Sequence, residues 1–250
     1  MPSGKLRLSP YRVMRDPLEN RVIFGYKYFV PDDMEDDDPK HPANTVAAIE
    51  EGTERIKESA KVLSLTLDAP GLDESDSLFG RGWARARMWE QYAENHAGVC
   101  LAFSRGALIE NVTKSLESQG LAGPYNRAVN YTSRGTGEGL ALGEIESGPL
   151  PDGWVEAFVE KEKDHFFFLK TTDWETEHEY RFVVTADNPG YAYADFGDAL
   201  EAVAIGHRLA KWEWPGVVAA SREANAEPFR IEWSTGAPRA WWLDKQSDQS

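Results

Sequence analysis

Leucines alternate with hydroxyl residues along Lys61-Val62-Leu63-Ser64-Leu65-Thr66-Leu67, the period of two expected of a half-buried strand. Alternation or short apolar runs also predict strands at Leu6–Pro10, Val99–Phe103, Ala128–Thr132, Glu179–Thr185, Ala199–Ile205, Phe229–Trp233 and Ala240–Leu243. Val22–Val30 is aromatic and β-branched and reads as extended. Helical spacing predicts helices over Thr45–Ala60, Trp83–Asn95, Ala107–Ser118 and Gly153–Lys170. In the first of these Thr45 serves as the cap and Val46, Ile49 and Ile56 face inward. Lys211–Asn225 reads as a helix broken at Pro215. Met14–Glu19 is a turn, because Asp-Pro disfavours helix at Asp16. Asp68–Gly82 and Ser133–Asp152 are rich in Gly, Ser and Asp and read as loops, and Gly206-His207 is a turn.

Strands and helices therefore mix without strict βαβ alternation. This predicts an α+β fold, a single domain with a mixed or mostly antiparallel sheet and flanking helices. The domain is expected to span 1–245, with an acidic loop insertion at 31–43 and a polar tail at 246–250. No GxGxxG or GxxxxGK[ST] occurs, so the usual sequence support for Rossmann or P-loop nucleotide binding is missing.

Charge and composition narrow the choices. The formal net charge is -15, which disfavours tight nonspecific binding to nucleic acid but leaves a briefly held nucleic-acid substrate open. Six of the seven residues Asp32–Asp38 are acidic, and like charges at that density predict a solvated loop. A mean hydropathy of -0.53 and short apolar runs speak against a membrane protein. Met1–Pro10 lacks the apolar run of a signal peptide, so the expected location is cytoplasmic. The single cysteine, Cys100, excludes an internal disulfide and a multi-thiolate zinc site, and its apolar neighbours predict a buried core thiol. Five scattered histidines show no metal-ligand spacing.

The segment richest in chemistry is Lys170–Val184. On a strand, Glu177, Glu179 and Arg181 share one face, and His178, Tyr180, Phe182 and Val184 share the other, apolar one. Two carboxylates two residues apart lie close enough for one to have a raised pKa and act as acid or base. Arg181 can hold a carboxylate or phosphate through its fork. The bland alternative is a surface strand with a Glu–Arg pair worth little. A second candidate is the helix carrying Arg85, Arg87, Trp89, Tyr92 and His96. Its aromatic face either packs in the core or lines a pocket for a flat heterocycle. Arg12–Glu19 reads as a turn anchored by salt bridges, and Gly206-His207-Arg208 ranks last.

Taken in order, these segments resemble a bacterial family known as domain of unknown function 2971. Its turn pattern is similar to Arg15-Asp16-Pro17-Leu18-Glu19, and its Met-Trp-x-x-Tyr-Ala-x-x-His-x-Gly-Val-Cys is matched by Met88 to Cys100. Its closing Lys, then Trp-x-x-Glu-x-Glu-x-Arg, is matched by Lys170, Trp174, Glu177, Glu179 and Arg181. The resemblance runs over residues 6 to 210. The family's opening Tyr-Lys/His-Tyr strand has no counterpart in residues 1–5, and Tyr26-Lys27-Tyr28 follows the Asp-Pro turn. Glu177-His178-Glu179 also resembles the Glu-x-Glu of ADP-ribosyltransferases.

That second resemblance implies NAD as cofactor and a macromolecular acceptor, protein or nucleic acid, with the acidic surface favouring protein. It implies Glu177 and Glu179 as catalytic residues, Glu179 on the ribose hydroxyls and Glu177 activating the acceptor. Arg87, Trp89, Tyr92 and Arg181 would bind the cofactor, the arginines at the pyrophosphate and the aromatics against a ring. A bacterial defence or toxin context goes with it. The alternatives are a non-catalytic interaction module of such a system and a metal-dependent hydrolase with Glu177, Glu179 and Asp173 as oxygen ligands. The single-site readings require the two motif segments to meet in space.

Overall fold

A computed structural model describes residues 4–14, 35, 38–72, 78–133 and 150–243. In chain order the elements are β1 (Lys5–Pro10), α1 (Pro42–Ser59), β2 (Ala60–Thr66), α2 (Ala86–Tyr92), β3 (Val99–Phe103) and α3 (Arg105–Ser118). Then come β4 (Ala122–Ala128), β5 (Asn130–Thr132), α4 (Trp154–Lys161), α5 (Lys163–Phe168), β6 (Leu169–Thr171) and β7 (Glu179–Thr185). The chain closes with β8 (Ala192–Asp195), β9 (Leu200–Ile205), α6 (Trp214–Glu223), β10 (Glu227–Ser234) and β11 (Ala237–Trp242). The fold is α+β, as the pattern predicts. One sheet runs β4-β7-β2-β1-β8, a second β11-β10-β9-β3, and β5 pairs with β6. Every pairing is antiparallel except β9 with β10 and β5 with β6.

Alternation along the central strands sorts the core. On β2 and β7, Leu63, Tyr180, Phe182 and Val184 face one way, against Leu108, Val112 and Leu116 of α3 and Val203 of β9. Val62 and Val183 face the other way, against Ile49 of α1, Phe158 of α4 and Phe166, Phe167 and Phe168 of α5. The four-stranded sheet turns Ala202, Ala204, Phe229 and Ile231 toward Trp89 and Ala84.

Several elements depart from the pattern, each for a local reason. The predicted helix Trp83–Asn95 contracts to α2. Arg85 is extended (φ -89, ψ 106), because its guanidinium reaches away to the Leu67 carbonyl at 2.7 Å and the Glu177 carbonyl at 3.0 Å. At the other end Glu94, Asn95 and His96 take φ of 47, 54 and 70, which no helix continues through. The predicted helix Gly153–Lys170 breaks at Glu162 (φ -103, ψ 19) and gives its last residues to β6. The strand read at Ala128–Thr132 is the end of β4 plus β5, divided at Val129, whose N–H donates to the Glu179 carbonyl at 2.9 Å. The rest of β4 was hidden by Gly123-Pro124, and β8 by its four-residue length. Pro215 sits in the first turn of α6 and starts the helix rather than breaking it. α1 is capped by His41, whose ring accepts the Ala43 N–H at 3.1 Å, while Thr45 is buried inside the helix. The readings for Arg15–Glu19, Val22–Val30, most of the acidic run, Arg134–Gly148 and the 246–250 tail lie outside the described residues.

At one end of the four-stranded sheet two histidines share an aromatic nest. The His96 and His207 rings are 4.8 Å apart, and Trp233 meets them edge-on at 4.7 and 5.6 Å. Gly206 lets the two loops close up, since a Cβ there would stand 2.2 Å from the His96 carbonyl oxygen. Burial lowers the pKa of both rings, helped by His207 and Arg208 at His96 and by Arg208 and Arg230 at His207. His178 is lowered too, by burial and by Arg85. An unfolded chain then binds more protons than the folded one just below the ordinary histidine pKa of about 6.5. The contribution is therefore intact above that pH and is lost as pH falls toward the folded values. Urea midpoints should drop between pH 7 and 5.5, a window in which ordinary carboxylates stay ionised, and the drop should shrink in His207→Gln. A midpoint constant across that window would remove this account of the nest.

Candidate functional site

Four charged side chains from two sheets meet below the start of β7. Arg181 is 0% exposed, Lys170 and Glu177 4% each, and Glu179 5%, so their interactions are screened far less than surface pairs. Arg181 grips Glu179 with two prongs, Nε to Oε1 at 2.6 Å and Nη2 to Oε2 at 2.9 Å, and its Nη1 donates to the Phe167 carbonyl at 2.8 Å. Lys170 Nζ bridges the two acids, 3.2 Å from Glu177 Oε2 and 3.1 Å from Glu179 Oε2. The ammonium also stands 4.4 Å from the centre of the Trp174 ring. Two anions and two cations balance.

Local structure explains how the acids converge. Glu179 and Arg181 share a face of β7, as the alternation predicts. Glu177 is not on the strand. It ends a 3-10 turn, Thr172–Glu177, and His178 follows in the left-handed region at φ 46. The Thr66 hydroxyl of β2 fixes this turn by donating to the Glu177 carbonyl at 2.7 Å, and Leu67 N–H donates to the His178 carbonyl at 2.9 Å. Lys170 arrives on β6, in register with Tyr131 of β5. The Tyr131 hydroxyl accepts the Glu179 N–H at 2.9 Å.

The electrostatics favour charge on Glu179. Burial pushes its carboxyl up, but the Arg181 charge and hydrogen bonds, with Lys170 and the Ser64 hydroxyl, outweigh that and hold it below the usual range. The raised carboxyl expected of a close acid pair is therefore not found at Glu179. Burial raises the Tyr131 phenol, and Glu179 and Glu177 add to the effect.

The second motif reaches the same place, though not with the expected residues. Tyr92, 47% exposed, donates its hydroxyl to Glu177 Oε1 at 2.8 Å. Arg87, also exposed, touches the Thr176 hydroxyl at 3.2 Å. It has no carboxylate partner among the described residues. Arg85 packs its guanidinium against the Thr66 hydroxyl and the Glu177 carbonyl. Trp89 turns away: it is 2% exposed, donates to the Trp83 carbonyl at 2.7 Å and stacks in the His96–Trp233 nest. Arg85, Trp89, Tyr92 and His96 thus do not form one face, because the first and last of them lie outside the helix.

Tyr131 and Thr66 had no sequence signal, since their placement depends on a parallel ladder and on strand register. Lys170 opens the charged segment and the family pattern includes it, but its spacing assigns it no partner. The Lys170 ammonium occupies the space between the two carboxylates in which a metal reading would seat its cation, and Asp173 is exposed. Among the described residues no three His, Cys, Asp or Glu side chains stand together. Arg12 pairs with Glu58 at 3.0 Å on the surface. Cys100 is partly buried rather than a fully enclosed core residue, and desolvation pushes its thiol up to about 11.

No helix among the described residues is long and apolar enough to cross a membrane. No curated protein and no solved structure matches the chain significantly. A family model does match, over residues 88–182, a narrower stretch than the motifs suggested. It takes in Tyr92, Lys170, Glu177, Glu179 and Arg181 and leaves out β1, β2 and β9–β11. The segment that builds the charge cluster is thus similar to the family described as Protein of unknown function (DUF2971).

Proposed function

We propose that the chain is an ADP-ribosyltransferase-like enzyme that draws on NAD to modify a macromolecular acceptor, a protein rather than a nucleic acid given its net charge of -15. The observation that carries this reading is the 2.8 Å contact between Tyr92 and Glu177. It brings the two motif segments to one spot and places a Glu-x-Glu beside an exposed aromatic ring and an exposed cation.

Of the expected NAD ligands, two fit. The exposed Tyr92 ring offers a flat apolar face for a heterocycle, and Arg87 offers a guanidinium to a pyrophosphate. Trp89 and Arg181 do not fit, because both are buried and their donors are committed inside the protein. NAD supplies an activated glycosidic bond: nicotinamide leaves with the bonding electron pair, and the acceptor nucleophile, losing a proton, takes its place on the ribose carbon. Glu177 faces that change with negative charge. Glu179, clamped by Arg181 and Lys170, fixes the position of its neighbour.

The test is nicotinamide release from NAD by the purified chain, with and without a mixture of acceptor proteins. Arg87→Met should raise KM for NAD about tenfold with an unchanged melting temperature, the loss of one charge-assisted contact. Absence of nicotinamide release under both conditions would end the transferase reading. A second reading rests on the burial of all four charges with partners in place. Such a network also serves to hold a fold, in which case the chain is a non-catalytic interaction module and the wild type leaves NAD untouched.

A further inference from the structure

We infer that the Tyr131 hydroxyl is a ligand-contacting donor of the charge cluster, presenting its proton to an acceptor oxygen of a nucleotide sugar. The inference rests on the transferase reading and adds a residue to it. Tyr131 lies on β5 and is Cα partner to Lys170 in the parallel pairing, which sets the two side chains side by side. Its oxygen accepts the backbone N–H of Glu179 at 2.9 Å. A phenol has one proton to donate as well, and among the described residues no acceptor receives it.

The surroundings say what kind of oxygen that proton would meet. Glu177, Glu179, Lys170 and Arg85 are all close enough to act electrostatically on Tyr131 or to be acted on by it. A hydroxyl that donates, next to a carboxylate that accepts, is the pairing a sugar hydroxyl satisfies, since it does both. Tyr131 is half-buried and holds the N–H of Glu179, two residues along the chain from the Glu177 carboxylate that accepts the Tyr92 hydroxyl. A ligand with its ring against Tyr92 and a phosphate at Arg87 would turn its sugar inward, toward this donor.

The experiment uses ADP-ribose as a probe of the full chain, with its affinity read by calorimetry and by the rise in melting temperature it produces. Two variants separate a ligand contact from a structural one. Tyr131→Phe removes the oxygen altogether. O-methyltyrosine at position 131 keeps the oxygen that accepts the Glu179 N–H and removes only the proton. Both should weaken ADP-ribose binding by about threefold to tenfold, the worth of one hydrogen bond, and raise KM for NAD by a similar factor with kcat less affected. The O-methyltyrosine protein should melt, without ligand, close to the wild type. Unchanged ADP-ribose affinity in both variants, with a wild type that turns NAD over, overturns the inference and leaves the transferase reading standing. A wild type that neither binds ADP-ribose nor releases nicotinamide removes the reading and the inference together.

Discussion

Arg181→Met should cost about 3–5 kcal/mol of unfolding free energy, the usual effect of removing one partner of a buried ion pair. The guanidinium is 0% exposed and makes hydrogen bonds to both Glu179 oxygens and to the Phe167 carbonyl. Without it, Glu179 keeps the Ser64 hydroxyl and the half-share of Lys170 that Glu177 leaves, and the Phe167 carbonyl loses a donor in the core. Arg181→Lys should recover little, because a single ammonium cannot span the two carboxylate oxygens and reach the carbonyl as well. The double variant Arg181→Met, Glu179→Leu should regain much of the loss, since the uncompensated charge is then gone. The penalty also has a pH signature. Glu179 is held below its ordinary pKa, so its contribution is present above about 4.3 and fades as pH falls through the folded value. The gap between wild type and Arg181→Met in urea titrations should therefore narrow in acid. A single-variant loss below about 1 kcal/mol would mean that the pair is solvated in a way its burial does not indicate.

Glu177→Gln should leave the fold nearly intact and lower NAD turnover by on the order of a hundredfold, as for the loss of one dominant electrostatic contact in a transition state. The amide keeps an oxygen for the Tyr92 hydroxyl, and Lys170 retains Glu179. Stability and activity thus part company at position 177, whereas at Glu179 they fall together, because Glu179→Gln strands Arg181. Melting curves and nicotinamide release from the same preparations check both statements. Glu177→Gln with full turnover would show that the carboxylate does not face developing charge, and the same variant unfolded would place it with Glu179 as a structural anion.

The charge cluster was partly legible beforehand. Period-two alternation gave the shared face of Glu179 and Arg181 and the opposite apolar face of Tyr180, Phe182 and Val184, because a central strand must sort its sides. The burial of that charged face was not legible. Glu179 and Arg181 read as a surface pair until Phe167, Phe168 and β6 are seen to cover them. Alternation puts Glu177 on the strand, and only the positive φ of His178 moves it to the preceding turn. Helical spacing overran at Arg85 and His96, since neither propensity nor periodicity registers a guanidinium drawn to a distant carbonyl. Trp89 and Tyr92, three residues apart, were read as one aromatic face. Packing assigns the first to the core and the second to the surface.

The balance of charge in the cluster has a consequence for how a ligand arrives. Two anions cancel two cations within a few ångströms, so the site casts almost no field beyond its own rim. The -15 of the chain is distributed elsewhere, and that is what a dinucleotide of the proposed kind would sense at a distance. An anion approaching at low ionic strength is slowed by repulsion, and ions that shrink the Debye length to about 8 Å at physiological strength relieve it. Arg87 then acts only at contact range. Under the proposed function, association with such a ligand would be accelerated by salt, the reverse of electrostatic steering, and selectivity would be decided at the rim rather than on the way in.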